Sequence, residues 1–150
     1  METAKEIKAA IAVGISALTS LWGWMGWAVI VFIVCMALDY LTGSWAAMAH
    51  GEWSSARARE GLRHKLGEIV ALLVAALCDI AVKVVLQSTA APLLDGINYS
   101  SFLSMLVCVW YIFTELGSIT ENAGKLGAPI PGWLRKAIEA LHSKVDKDDK

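Results

Sequence analysis

Charge is scarce in this chain. Asp, Glu, Lys and Arg make up 18% of its 150 residues, below the roughly 25% of a typical soluble domain. There are three prolines, three histidines and three cysteines, and Cys35, Cys78 and Cys108 form no CxxC pair and have no histidine beside them. That spacing excludes a metal-ligand set or a redox motif, and the cysteines read as apolar filler. Paired-glycine phosphate loops, nucleophile elbows and HExxH spacings are also absent, and His50, His64 and His142 fall in polar segments. No catalytic, cofactor-binding or metal constellation is expected, and the chain does not read as an enzyme. The net charge is −1, and its one short basic run (Arg57, Arg59, Arg63, His64, Lys65) has no interleaved aromatics, so no nucleic-acid partner is expected. The first eight residues mix acids with bases and lead to no small-residue cleavage site, so no removable signal peptide is expected.

What the chain has is apolar length. Hydrophobic residues make up 57%, there are seven tryptophans, and the mean hydropathy is +0.55. A crossing needs about 20 mostly apolar residues to cover about 30 Å of hydrocarbon. The windows 24–49, 66–86 and 99–119 qualify, and 9–21 is shorter. The expected fold class is an all-α integral membrane protein with three to four transmembrane helices and a C-terminal amphipathic helix. Residues 1–122 would be the transmembrane bundle. Residues 123–150 would be a cytoplasmic amphipathic helix and charged tail.

Local signals set the expected boundaries. Thr3 and Glu6 form a capping box for a first helix over about 4–21, whose apolar stretch spans if Lys5 and Lys8 snorkel or else lies in the interface. Spanning is the expectation. Trp22–Trp27 combines three indoles with two glycines, as an interfacial turn would. A second helix ends near Ala49 with Gly51 after it. A polar connection over 52–65 carries a short amphipathic helix capped by Ser54 or Ser55 and stopping before Gly61, and a third helix then covers about 62–86. Asn98 is the expected N-cap of a fourth helix ending near Asn122. After the Pro-Ile-Pro break, Trp133, Leu134, Ala137, Ile138 and Leu141 share one face of a surface helix.

Orientation follows from the basic residues. They fill the 52–65 connection and the segment after the fourth helix, and the 87–98 loop has none. By the positive-inside rule the first two are cytoplasmic and the loop is outside. With a spanning first helix the N-terminus is cytoplasmic as well.

Polar residues recur at helical spacing within the apolar windows. Asp39, Gly43 and Ala47 align on the second helix with Thr42 beside them. Gly67, Ala71, Ala75, Asp79 and Lys83 fall at steps of four on the third. On the fourth, Ser104, Cys108, Tyr111, Glu115, Ser118 and Asn122 step by four, three, four, three and four. The first helix has Ser16, Thr19 and Gly23. A charge at mid-bilayer costs at least about 2.5–3.5 kcal/mol, so these groups face protein or water. Asp79 can pair with Lys83 one turn on. Asp39 and Glu115 need another helix, another subunit or an aqueous path. Two readings stand side by side for Asp39, Thr42, Gly43, Asp79, Lys83, Glu115, Ser118 and Asn122: packing seam, or lining of an oligomeric lumen.

Three blocks in order carry a family resemblance: "DYLTG" at 39–43, "GLRHKLGEIVALLVAALCDI" at 61–80, and "ELGSITENAGKLGAPIPGWLRKAIEAL" at 115–141. Together they resemble the phage holin family that includes the toxin-secretion holins of clostridia. The family's motif positions fall on Asp39, Tyr40, Thr42, Gly43, Gly61, Lys65, Asp79, Glu115 and Asn122. The resemblance implies a protein of the bacterial inner membrane that oligomerises with itself among membrane lipid and opens a lesion. A cell-wall hydrolase or toxin passes through that lesion without stable binding, and host lysis follows. The rivals are a small structural or adaptor membrane protein, in which the rows only pack a bundle, and a small-ion channel.

Overall fold

The structure, a computed structural model, describes residues 2–88 and 101–146. Most of the expected 87–98 loop, the expected cap Asn98 and the last four residues of the tail lie outside the described residues. Five helices follow in order: α1 (Glu2–Trp22), α2 (Trp24–Ala49), α3 (Ser55–Ser88), α4 (Phe102–Lys125) and α5 (Gly132–Asp146), with no strand among the described residues. Among these, α2, α3 and α4 are long and apolar enough to cross a membrane, and α1 is not. The protein is an all-α, multi-pass membrane protein.

Breaks fall where the chain permits a left-handed residue. Gly23, Gly51 and Gly127 have φ of +55°, +70° and +84°. At the end of α2 the Glu52 N–H donates to the Ala47 carbonyl at 2.8 Å and Gly51 donates to Met48 at 3.1 Å. Ala128 and Gly127 repeat this at the end of α4, bonding Ala123 and Gly124. Both are Schellman ends, in which glycine reaches a φ that other residues adopt only with strain.

Gly61 does not interrupt α3. Ser54 caps the helix, its Oγ accepting the Arg57 N–H at 3.2 Å, and the helix then runs unbroken for 34 residues. The expected break at Gly61 between a short amphipathic helix and the span is absent. One interior glycine costs only about 1 kcal/mol relative to alanine, and the alanines, arginines, leucines and glutamates around it favour helix. Lys65 therefore sits on the spanning helix and not in a loop.

The bundle packs α2 alongside α4 with α3 antiparallel to both, α1 against α2 and α5 folded back on α4. Between the polar contacts lies an apolar layer of Met25, Phe32, Met36, Leu72 and Cys108, with Val107, Tyr111 and Ile112 against it. The Phe32 and Tyr111 rings stack at 5.8 Å. Val31, Val34, Leu38 and Leu41 on α2, and Leu73, Val74 and Leu77 on α3, are exposed, as lipid-facing positions are. Ile138 of α5 comes within 3.4 Å of where a Cβ on Gly117 would stand, so a small residue there admits the α5 return.

The expected row on α3 is not one face. Ala75 and Asp79 are buried, whereas Gly67 and Lys83 are exposed. Each step of four turns about 40° past a full circle, so from Gly67 to Lys83 the row swings about 160° around the helix. The face that meets α2 and α4 steps by three and four instead, through Lys65, Glu68, Leu72, Ala75 and Asp79.

Asp79 sets the start of α4. Its Oδ1 accepts the Leu103 N–H at 3.0 Å, and its Oδ2 accepts the Ser104 N–H at 2.8 Å and the Ser104 hydroxyl at 2.5 Å. Ser101, the cap residue by position, makes no capping side-chain bond. A carboxylate from another helix satisfies the free amides and lies at the positive end of the α4 dipole. The spacing to Lys83 had suggested an intrahelical ion pair; both carboxylate oxygens turn towards α4. Asp79→Ala should lower stability by about 2 kcal/mol and speed hydrogen exchange at the Leu103 and Ser104 amides. Unchanged exchange there would remove Asp79 as the cap.

Candidate functional site: a charge cluster within the spans

Three spans each place one charged residue ten positions from the same end of the bundle. Asp39 precedes Ala49 by ten, Lys65 follows Ser55 by ten and Glu115 precedes Lys125 by ten. At 1.5 Å per residue each lies about 15 Å from its helix end. The side chains meet there. Lys65 Nζ donates to Asp39 Oδ2 at 2.7 Å and to both Glu115 carboxylate oxygens. The Asp39 and Lys65 side chains are 13% exposed and that of Glu115 is 1% exposed, so solvent screens this pairing little.

A second set of contacts orients Asp39. Asn122 Nδ2 donates to Asp39 Oδ1 at 3.1 Å and reaches Thr42 Oγ1 at 3.5 Å. Thr42 spends its own proton on the Leu38 carbonyl at 2.8 Å, leaving its oxygen as an acceptor. A Cβ on Gly43 would lie 3.2 Å from Asn122 Nδ2, so glycine lets α4 bring the amide close. His50 Nε2 faces the Lys125 carbonyl at 3.2 Å, joining the ends of α2 and α4.

Asp39 and Lys65 of the cluster, with Gly43, Ser118 and Asn122, line a cavity of about 560 Å³ that has Arg57 and Lys125 among its other walls. Arg57 is held by Glu52 at 3.0 Å. Of the residues singled out from sequence, Asp39, Thr42, Gly43, Glu115, Ser118 and Asn122 are brought together. Asp79 lies about 21 Å further along α3, and Lys83 is exposed one turn beyond it. Among the described residues no group of His, Cys, Asp and Glu is placed to hold a metal ion.

Two neighbouring charges were not among the polar rows expected from spacing: Lys65, a motif position of the family resemblance, read as a topology signal because its neighbours Arg57, Arg59 and Arg63 are basic, and Glu68 was not singled out. The shared ten-residue offset and the three-four stepping were the available signals. Lys65→Ala strands two carboxylates and should destabilise the bundle by about 3–5 kcal/mol, read as thermal unfolding in detergent. Adding Asp39→Asn and Glu115→Gln to it should recover most of that loss; a triple variant no better than Lys65→Ala would show that charge balance is not what holds the three helices.

Comparison with known proteins places the chain. The sequence profile of the bacteriophage holin family matches residues 16–143. An uncharacterized protein of Clostridium perfringens is 33% identical over 89% of this chain and 92% of its own length. An uncharacterized 14.9 kDa protein from the nagH 3′ region of the same organism is 33% identical over 87% and 92%. An uncharacterized protein of Halalkalibacterium halodurans is 31% identical over 78% and 79%. No solved structure matches the chain.

Proposed function

This chain belongs to the bacteriophage holin family, and we propose that it accumulates in the bacterial inner membrane, oligomerises and opens a lesion that releases a cell-wall hydrolase or toxin. The observation that carries this reading is the buried Asp39–Lys65–Glu115 cluster. Neutral polar contacts suffice to pack helices in lipid, so charges at this depth are better accounted for by an assembly with a second, wetter state.

In the closed form Lys65 bridges the carboxylates of Asp39 on α2 and Glu115 on α4 within one subunit. Opening exchanges those partners for water in a lumen shared between subunits, and mass action drives assembly as the protein accumulates. Each charge moved through the field is worth about 2.3 kcal/mol per 100 mV, so collapse of the membrane potential shifts the balance between the two states.

The first turns of α3, with Arg57, Arg59 and Arg63, and the segment after α4 are cytoplasmic, because both are basic. We place α1 as a short fourth crossing with Lys5 and Lys8 snorkelling to the cytoplasmic surface. A cysteine at position 5, in a background lacking Cys35, Cys78 and Cys108, should be shielded from a periplasmic reagent. Labelling from that side would put α1 outside.

The deciding experiment co-expresses the chain with an endolysin that has no signal sequence and follows optical density. Abrupt clearing after a delay, only with both proteins, is expected. Continued growth at normal membrane expression would favour a packing or adaptor role, and depolarisation without passage of the enzyme would favour an ion channel. Asp39→Asn and Glu115→Gln should each shift the time of clearing; unchanged timing in both at equal expression would separate the cluster from triggering.

A further inference from the structure

The cavity beside Asp39 has two levels of different charge. Ten residues from the helix ends lie Asp39 and Lys65, with Glu115 on the same ammonium, two carboxylates to one cation. At its outer level, where α2 and α4 stop and α3 starts, Arg57 and Lys125 line the cavity with a single carboxylate, Glu52. Arg57 makes its contacts with Glu52 through Nη1, to the carbonyl at 2.9 Å and to the carboxylate at 3.0 Å. The Nη2 and Nε edge of the guanidinium is thus left for a further acceptor. Lys125 makes no ion pair among the described residues. One positive charge is unbalanced at the outer level and one negative charge at the inner, so an anion drawn into the cavity stays at the outer level.

Size and surroundings narrow what that anion is. A volume of about 560 Å³ falls within the range of about 300–1,000 Å³ usual for small-ligand sites. The walls below the cations include Tyr40, Gly43, Ala47 and Ala58, which leave room without competing charge. Trp45 and Trp53 are exposed, as are Leu41 and Met48 on α2 and Leu62 on α3. Indoles favour the headgroup level, and the aliphatic side chains beside them are a surface for acyl chains. A guanidinium pairs with phosphate through parallel bonds, and a basic pocket between spans at headgroup depth suits the phosphate of a lipid.

The second cavity, of about 650 Å³, is lined by Glu60, Arg63, His64, Gly67, Glu68 and Tyr111. It sets two carboxyls against one arginine. Glu68 Oε2 is buried without a hydrogen-bond partner, and that oxygen calls for a donor, which a phosphodiester does not supply. The two cavities therefore differ in sign, and only the first suits an anion.

We propose that the cavity beside Asp39 holds the headgroup of an anionic phospholipid, with its phosphate at Arg57 and Lys125 and its acyl chains outward along the exposed apolar faces of α2 and α3. Glu52 positions the guanidinium for this contact. The inference rests on the spans lying in a membrane and holds whether or not the chain forms lesions.

The test follows the melting temperature of the purified full chain in an uncharged detergent during titration with phosphatidylglycerol, with phosphatidylcholine of the same acyl chains, or with inorganic phosphate. Phosphatidylglycerol should raise the melting temperature to a plateau, because a ligand of the folded form stabilises it. Phosphatidylcholine should raise it much less, and inorganic phosphate should leave it unchanged. Arg57→Gln combined with Lys125→Gln should weaken the phosphatidylglycerol affinity by about tenfold or more. Arg59→Gln combined with Arg63→Gln removes the same charge from positions outside this cavity and should leave the affinity close to that of wild type. Ala47→Leu fills the cavity without altering charge and should also weaken binding, which supplies the second reading should the first pair of substitutions prevent folding. Equal shifts with the two lipids, or equal losses in the two double variants, would overturn the site in favour of general surface attraction. A shift with inorganic phosphate as large as that with phosphatidylglycerol would overturn the lipid assignment in favour of a free anion. These readouts use purified protein, so a negative lysis assay leaves them intact, and a failed lipid titration leaves the lysis reading standing.

Discussion

A single ammonium group, Lys65 Nζ, holds the assembly of the three spans in register. Asp39 and Glu115 lie on helices that, inserted separately, would each carry an uncompensated carboxylate at a penalty of about 2.5–3.5 kcal/mol or more. The penalty is relieved only when α3 arrives antiparallel between them with Lys65 at the same depth. A buried ion triad adds little net stability over an apolar replacement. Its effect here is selective: a slip of one turn by any of the three helices moves its charge about 5.4 Å out of reach.

The remaining contacts are arranged around that constraint. At one level Asn122, Thr42 and Gly43 finish the coordination of Asp39. About 21 Å away along α3, Asp79 caps α4, and the Ser104 hydroxyl also lies 3.3 Å from Met25 Sδ on α2. Between the two levels the contact is apolar, through Phe32, Met36, Leu72 and Cys108. Lipid tails are as apolar as leucine, so burial of such side chains gives no preference for one helix face over another beyond shape. The polar levels supply that preference, and the apolar layer fills the space they define.

On the proposed function, the same arrangement describes what must be undone. Lys65 satisfies Asp39 and Glu115 inside one subunit, which leaves the lipid-facing surfaces of α2 and α3 apolar and the closed form tolerable in a membrane. A lumen requires those groups to exchange internal partners for water. The cavity beside Asp39 and the second one beside Glu68 open next to the groups that have to change partners.

Much of this was legible from the residues alone. The spans, the glycine ends and the α4 row were readable because hydropathy, left-handed φ and three-four spacing are local properties, and of that row Ser104, Cys108, Glu115 and Asn122 are buried while Tyr111 and Ser118 are half-buried. The α3 row was misread because steps of four drift around a helix, and Lys65 was misassigned because Gly61 and three nearby arginines resemble a loop when weighed one residue at a time. Transfer from water to lipid sums nearly residue by residue, so the sequence by itself determined that the chain is helical and enters a membrane, and which stretches are apolar enough to cross. Which carboxylate meets Lys65, which helix Asp79 caps and where Glu68 is left without a donor depend on faces that meet across 24 to 50 residues of chain. Only the tertiary structure decided those, because a charge takes as its partner whatever packing brings within about 3 Å.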